Sequence, residues 1–209
     1  MDHPATTGRG VDFESRGRYY CLEMEQIFAM YADNTLTPKE AVRLCALGTL
    51  ASGPVHYSTL ANAIRHFISH ITGPSLEVMG TSLELLKYEG LVTAVDGVGM
   101  EDDAVLSITE EGKAELRQLL TANVRAQASE MNKLIVALKF RFLHLLSKED
   151  QRAQTEILIE AQETELVRLE ELRQGHSDDT GHLIEWLDHD IQNLMSHLTW
   201  LWEFRGRQG

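Results

Sequence analysis

The chain contains few of the residues that build cross-linked, fibrous or disordered proteins. Its 209 residues include 2 cysteines, 4 prolines and 15 glycines, and 43 % of the residues are hydrophobic. Cys21 and Cys45 are too few for a disulfide framework or a four-ligand zinc site, so we expect two reduced thiols. The apolar content and the scarcity of proline exclude a collagenous, low-complexity or largely disordered chain. The length fits one large domain or two small ones.

Long apolar runs and an excess of positive charge are also missing. No segment approaches the roughly 18 consecutive apolar residues of a membrane span, and the N-terminus lacks the basic and then apolar order of a signal peptide. We therefore expect a cytoplasmic protein with no membrane partner. The 19 basic and 32 acidic side chains give a net charge of −13. Because a field of this sign repels phosphate, nucleic-acid binding requires a local basic surface.

Apolar periodicity and boundary signals predict a series of helices in the first half of the chain. Residues 1–16 form a polar arm, and apolar spacings of three and four predict a helix over about 19–33. The Thr37-Pro38-Lys39-Glu40 segment is typical of a capping box with proline at the first helical position, so a helix begins at Pro38. Further helices are predicted over Thr59–Ile68 and about Ser75–Tyr88.

The second half is predicted to start with a β-hairpin and then to be helical. Leu91–Val95 and Ala104–Ile108 are β-prone, and the polar, glycine-containing segment between them suits a hairpin loop. Thr109 caps a helix predicted to run for about ten turns to Ser147, and two more helices follow, the last over about Gly181–Phe204. The apolar stripes of these helices predict that they pack on each other and on a second chain.

The order helix, helix, helix, hairpin, helix is that of a winged helix-turn-helix module. This region contains Leu47-Gly48-Thr49-Leu50, Gly53-Pro54-Val55-His56-Tyr57, the segment from Ser82 to Val92, and the segment from Leu106 to Lys113. In these residues it resembles the PadR family of bacterial transcriptional regulators. The C-terminal segments Leu138-Lys139-Phe140, Leu145 to Asp150, Trp186 to Ile191 and Trp200 to Glu203 resemble the helical dimerisation domain of that family.

The predicted fold class is therefore mainly α. A winged helix-turn-helix domain over residues 37–112 is preceded by an arm and an extra helix over 1–36. It is followed by a long-helix dimerisation domain over 113–209. Because its apolar stripe is large, we expect the extra helix to pack on the long helix after Thr109 or on that of a partner. Deleting residues 1–34 would then destabilise the dimer.

The resemblance implies a homodimer that binds double-stranded DNA, with its third helix in the major groove and its hairpin on the flanking phosphates. In some relatives a small aromatic acid or another effector loosens the DNA, and no cofactor is expected. The DNA-binding residues predicted on this basis are Ser75, Val78, Thr81, Ser82, Lys87 and Arg65. The predicted dimerisation residues are Leu138, Phe142, Ile184, Leu187, Ile191, Leu198 and Trp202.

The charge of the winged-helix region leaves two functions open. Residues 37–109 contain 4 basic and 8 acidic side chains, which gives 4 − 8 = −4, and the tip of the wing is Glu101-Asp102-Asp103. One function is a regulator that reads DNA through polar and apolar contacts with few phosphate contacts. The other is a winged-helix dimer that has lost DNA binding and acts through protein contacts of its acidic surface. Three arginines of the arm could enter a minor groove or belong to a solvated tail: Arg9, Arg16 and Arg18.

Other constellations have simpler interpretations. His182, Glu185 and His189 share one helical face and could bind zinc, but a solvated polar face is the better interpretation, and we predict no metal. Five aromatic residues either line an effector pocket or anchor a dimer core, and we favour the core: Phe140, Phe142, Trp186, Trp200 and Trp202. Because no catalytic constellation is visible, we predict that the protein is not an enzyme.

Overall fold

Helix α1 spans Pro38–Leu50 in the computed structural model, which describes residues 35–72, 80–95, 104–124 and 129–208. A capping box fixes its start, as the sequence predicts. The Thr37 backbone N–H donates to Glu40 Oε2 at 2.7 Å, and the Glu40 N–H donates to Thr37 Oγ1 at 3.3 Å. Beyond the helix the chain turns at Gly53, whose φ of +142° is a conformation that favours glycine.

The winged-helix region continues with short strands and helices. Its further elements are β1 (Val55–His56), α2 (Tyr57–Thr72), α3 (Gly80–Tyr88), β2 (Val92–Ala94), β3 (Val105–Ile108) and α4 (Glu110–Thr121). The strands form an antiparallel sheet in the order β1–β3–β2. The predicted hairpin strands are confirmed, whereas β1 is not predicted by the sequence. The predicted hairpin loop, 96–103, and the predicted N-terminal helix, 19–33, lie outside the described residues.

The prediction of one helix of ten turns after Thr109 is wrong. The structure has helix α4, then helix α5 (Glu130–Phe142) and a 3₁₀ turn (Leu143–Leu145). Ala122 is extended with ψ 154°, which ends α4, and Ser129 starts α5 by accepting a hydrogen bond from the Asn132 N–H at 3.0 Å. The apolar spacing continues across the break because both helices bury a face in the same core.

The last two helices form an antiparallel hairpin. Helix α6 spans Lys148–Gly175 and helix α7 spans Leu183–Gly206. Arg173 near the end of α6 pairs with Asp188 near the start of α7, and Arg205 near the end of α7 pairs with Glu156 in the third turn of α6. The short connection imposes the antiparallel direction, and these surface ion pairs add little to it.

Two groups of buried side chains hold the described residues together. The larger group contains residues of helices α1 to α5 and of the sheet. Among them are Leu44, Leu60, Leu106, Leu120 and Leu138. The smaller group joins α6 to α7 through Leu158, Ile159, Leu198 and Leu201. Helices α4 and α5 thus share a core with α1 across the predicted boundary at residues 112 and 113. The domain boundaries stay predictions.

The fold class is confirmed as mainly α, with a winged helix followed by long helices. Within the described ranges, no helix has both the length and the apolar character needed to cross a membrane.

Candidate nucleic-acid interface

Helix α2 differs from α1, α3 and α4 because it carries a cation and no carboxylate. It buries Leu60, Ile64 and Ile68, and its sequence from Tyr57 to Thr72 contains no carboxylate. Arg65 is exposed on the opposite side, where its Nη1 donates to Asn62 Oδ1 at 2.8 Å. The predicted residue Arg65 is therefore available at the surface.

Two histidines lie on the exposed side of the same helix. The His66 and His70 rings stack with their centroids 4.1 Å apart, and His70 Nδ1 donates to the His66 carbonyl at 2.7 Å.

Helix α3 is the described part of the predicted recognition helix. It buries Leu83 and Leu86, while Glu84, Leu85 and Tyr88 are exposed, Tyr88 to 89 %. The predicted DNA-binding residue Lys87 is half-buried. Of the other predicted residues, Ser75 and Val78 lie outside the described residues. Thr81 and Ser82 have their backbone in α3, and their side chains lie outside the described part.

Carboxylates neutralise the charge of Arg43. Arg43 of α1 donates through Nη1 to Glu89 Oε1 at 3.2 Å and through Nη2 to Glu89 Oε2. Its Nη2 also lies 3.6 Å from Glu115 Oε1 of α4. Arg43 of α1 therefore links the end of the predicted recognition helix, through Glu89, to α4, through Glu115. With two carboxylates on it, its charge is unavailable to phosphate.

The Thr109-Glu110-Glu111-Gly112 motif and the Gly90-Leu91 turn contact each other directly. Thr109 Oγ1 donates to the Gly90 carbonyl at 2.7 Å and accepts from the Gly112 N–H at 3.0 Å, while the Thr109 N–H donates to the Leu91 carbonyl at 3.1 Å. A Cβ at Gly112 would lie 2.1 Å from the Leu91 carbonyl oxygen, so only glycine fits there. The two motifs that support the family resemblance thus fasten the recognition helix to α4.

Lys139 joins the winged helix to the helices that follow it, and sequence reasoning did not single it out. Its side chain is 1 % exposed, and burial lowers the pKa of Lys139 from 10.5 to about 8. Its Nζ donates to the carbonyls of Leu120 and Ala122, both at 2.6 Å, and to Gln154 Oε1 at 2.7 Å. The signal in the sequence is its position four residues after Ile135 and three before Phe142, on the apolar side of α5.

A cavity of about 460 Å³ opens where α4 meets the start of α6. Its apolar lining includes Leu116, Leu120 and Leu146, and Arg117 stands at its edge with Nη2 2.8 Å from Asp150 Oδ2. The remaining lining residues are Ala51, Lys113, Leu145 and Ser147. The lining therefore combines apolar side chains with the Arg117–Asp150 ion pair and with Lys113, whose Nζ donates to Glu110.

The aromatic residues considered for an effector pocket do not meet at one place. Phe140 contacts Trp200 and Phe204, with ring centroids 5.2 and 5.3 Å apart. Phe142 instead lies against Gly48 in the core of the winged helix. Trp186 is at the other end of α7, 14 residues before Trp200 and so roughly 21 Å away along the helix axis.

The predicted dimerisation residues fall into two groups. Four of them are buried within the single chain, so their burial is already accounted for without a partner: Leu138, Phe142, Leu187 and Leu198. Ile184 and Ile191 are half-buried, and Trp202 is 44 % exposed. Met195, at 53 % exposed, lies on the same side of α7 as these three and was not predicted.

The histidines of the last helix form local contacts. His182 Nδ1 lies 3.2 Å from Glu185 Oε2, and His189 Nε2 lies 3.0 Å from Asn193 Nδ2. Within the described residues, no group of three or more His, Cys, Asp or Glu side chains is arranged to hold a metal ion.

Comparison with known proteins gives matches among solved structures and family models. No curated protein matches. The solved structure of Bacillus subtilis PadR in complex with operator DNA is 16 % identical, with 80 % of this chain and 98 % of that chain covered and a TM-score of 0.33. Bacillus subtilis PadR in complex with p-coumaric acid is 14 % identical, with the same coverage and a TM-score of 0.35. The protein smu.1604c from Streptococcus mutans UA159 is 19 % identical, again over 80 % and 98 %, with a TM-score of 0.34. Because these TM-scores are low, we assign the fold from the helices and the sheet of this chain alone.

A family model described as "Putative AphA-like transcriptional regulator" matches residues 31–205. This range includes the winged helix and both long C-terminal helices. This match confirms the prediction of a transcriptional regulator, and not of an enzyme. The chain belongs to the AphA-like family of transcriptional regulators.

Proposed function

We propose that this regulator binds double-stranded DNA as a homodimer, in the cytoplasm, through its winged helix-turn-helix domain. The observation that carries the proposal is the assembled unit of α2, α3 and the three-stranded sheet, with a carboxylate-free α2 that exposes Arg65. Helices placed in this way present the third helix to a major groove. The family match supports this function because the family consists of transcriptional regulators.

The proposed contacts divide into two kinds. Arg65 and Lys87 would bind phosphates, which gives affinity without sequence preference. The predicted groove-facing residues Ser75, Val78, Thr81 and Ser82 would contact base edges, because small polar and apolar side chains can read donors, acceptors and thymine methyl groups. With so few cations, the complex depends more on base contacts than a typical basic winged helix does.

The proposed dimer interface lies on one side of α7. Ile184, Ile191, Met195 and Trp202 follow each other at intervals of seven, four and seven residues, which is the spacing of a helix–helix seam. All four are half-buried or exposed in the single chain. A second copy that covers this seam would remove from water apolar surface that the described residues leave accessible.

An effector would fit the cavity between α4 and α6. Its apolar lining suits an aromatic ring, and a carboxylate would replace Asp150 on Arg117 or Glu110 on Lys113, so we assign the predicted small aromatic acid to this cavity. Because the cavity is lined by helices on both sides of the junction, a bound acid would change how the winged helix is held.

The carboxylates near the recognition helix favour a second function. Arg43 is engaged by Glu89 and Glu115, and Glu84 is exposed on the recognition helix. This arrangement favours a winged-helix dimer whose acidic surface binds a basic protein partner instead of DNA.

A salt titration with the promoter DNA of the protein's own operon tests the first function. We expect specific binding, measured by fluorescence polarisation against a scrambled duplex, that weakens as salt rises. Arg65→Ala should lower the salt slope by about one, whereas the control Arg152→Ala, an exposed cation on α6, should leave it unchanged. The absence of a specific complex at low salt would contradict DNA binding and favour the second function.

A further inference from the structure

We propose that Lys139 is a positioning residue that sets the angle between the winged helix and the helices that follow it. The inference deepens the proposed function, because this angle determines the distance between the two winged helices of a dimer on DNA. It concerns a residue that touches neither DNA nor effector in that function.

The contacts of Lys139 form a junction of three elements. The side chain belongs to α5, two of its acceptors are the carbonyls of Leu120 and Ala122 at the end of α4, and the third is Gln154 Oε1 of α6. Gln154 Nε2 also donates to the Thr121 carbonyl at 3.4 Å. The carbonyls of residues 120–122, at the end of α4, therefore accept hydrogen bonds from side chains of α5 and α6.

The acceptors of this junction match the donors of a lysine amino group. An ammonium has three N–H donors, and the site offers three acceptors within 2.7 Å. The C-terminal end of a helix carries partial negative charge, which favours a cation at this place. A methionine of similar length would fill the space and would leave all three acceptors without a donor.

Helix α4 connects this junction to the recognition helix. It has 12 residues and is therefore about 18 Å long. Its first turn is fastened to the end of α3 through Thr109, Gly112 and the Gly90-Leu91 turn, and Arg43 links Glu115 of α4 to Glu89. An anchor at the end of α4 thus controls the orientation of the recognition helix at its start.

A measurement without DNA tests the junction itself. Spin labels on Gln118→Cys in α4 and Glu163→Cys in α6, in a Cys21→Ser background and diluted with unlabelled chain, report the angle between the two parts. In Lys139→Met we expect a distance distribution at least twice as wide as in the wild type. The control Lys133→Met, an exposed lysine on the same helix, should keep the wild-type width.

A measurement with DNA tests the consequence for recognition. The wild-type dimer should prefer its operator over versions lengthened or shortened by two base pairs between the half-sites by at least tenfold. Lys139→Met should reduce this preference to less than threefold. A purely structural role would weaken binding to all spacings equally, and that result would overturn the proposal.

The two measurements separate the possible failures. If the wild type binds no DNA, the proposed function fails, and the spin-label widths still decide the role of Lys139. An unchanged width in Lys139→Met would overturn the proposal. If that variant does not fold, Gln154→Leu, which removes one acceptor and keeps the ammonium, should widen the distribution to an intermediate value, and an unchanged width there would overturn it.

Discussion

The ring of Phe142 occupies the space that a side chain at Gly48 would need. A Cβ at Gly48 would lie 2.6 to 2.7 Å from three ring atoms of Phe142. Gly48 is in the last turn of α1 and Phe142 ends α5, so the two helices contact each other closely at these ends. This contact explains why Phe142 is buried in the single chain, where a dimer contact was predicted.

The first prediction concerns this close contact. Gly48→Ala should lower the free energy of unfolding by about 1 to 3 kcal/mol, because the ring must move out of a filled core. Chemical denaturation measures the change. The control is Gly206→Ala at the end of α7, where no heavy atom lies within 4 Å of the added methyl group and stability should be unchanged or slightly higher. Equal effects of the two substitutions would contradict the prediction.

The second prediction is a pH dependence caused by Lys139. Burial lowers the pKa of Lys139 to about 8 in the folded chain, from 10.5 when exposed. Between these values the unfolded chain binds more protons, so the free energy of unfolding rises with pH. The comparison with Lys139→Met cancels the effect of the other titrating groups. Relative to that variant, the free energy of unfolding of the wild type should rise by about 2 kcal/mol between pH 7.5 and 9.5. Denaturant titrations at both pH values measure this difference, and a fall with pH would contradict it.

The third prediction concerns the thiol of Cys45. Burial raises the pKa of Cys45 to about 11, although the nearby Arg141 guanidinium acts in the opposite direction. At pH 8 roughly one thiol in a thousand is then ionised, and the group is enclosed as well. In a Cys21→Ser background, Cys45 should react with a disulfide reagent at the rate of global unfolding. The denatured chain is the control, and rapid reaction of the folded protein would show that the site opens locally.

The fourth prediction tests the seam on α7. Trp202→Glu and Met195→Glu should each weaken the dimer at least tenfold, because they place a charge in an apolar interface. Trp186→Glu is the matched control, since this exposed tryptophan points about 160° away around the same helix. Sedimentation velocity over a range of concentrations measures the dissociation constants. A wild type that is monomeric at all concentrations would contradict the seam.

Local signals in the sequence predicted most of the secondary structure correctly. The capping residues Thr37, Thr109 and Ser147 each accept a hydrogen bond from an N–H three residues later, as their spacing indicates. The hairpin strands on either side of the glycine-containing loop were found for the same reason. Such interactions span a few residues, so a short stretch of sequence contains both partners.

Errors arose where two distant segments decide the outcome. The apolar spacing after Thr109 continues through a break at Ala122, because α4 and α5 both face the same core. The charge count of residues 37–109 includes Arg43, and only the structure shows that Glu89, 46 residues away, pairs with it. The partners of a charge cannot be identified from spacing when the chain returns to it from another element.

The sequence by itself determined the winged-helix order, the capped starts of α1, α4 and α6, the family type and the low positive charge of the winged-helix region, since each depends on composition or on neighbours along the chain. Only the tertiary structure decided which stripes are already covered within one chain, which cations remain exposed, and that Lys139 lies buried at the junction. Burial and pairing depend on packing between segments far apart in sequence, and no local pattern contains both sides of such a contact.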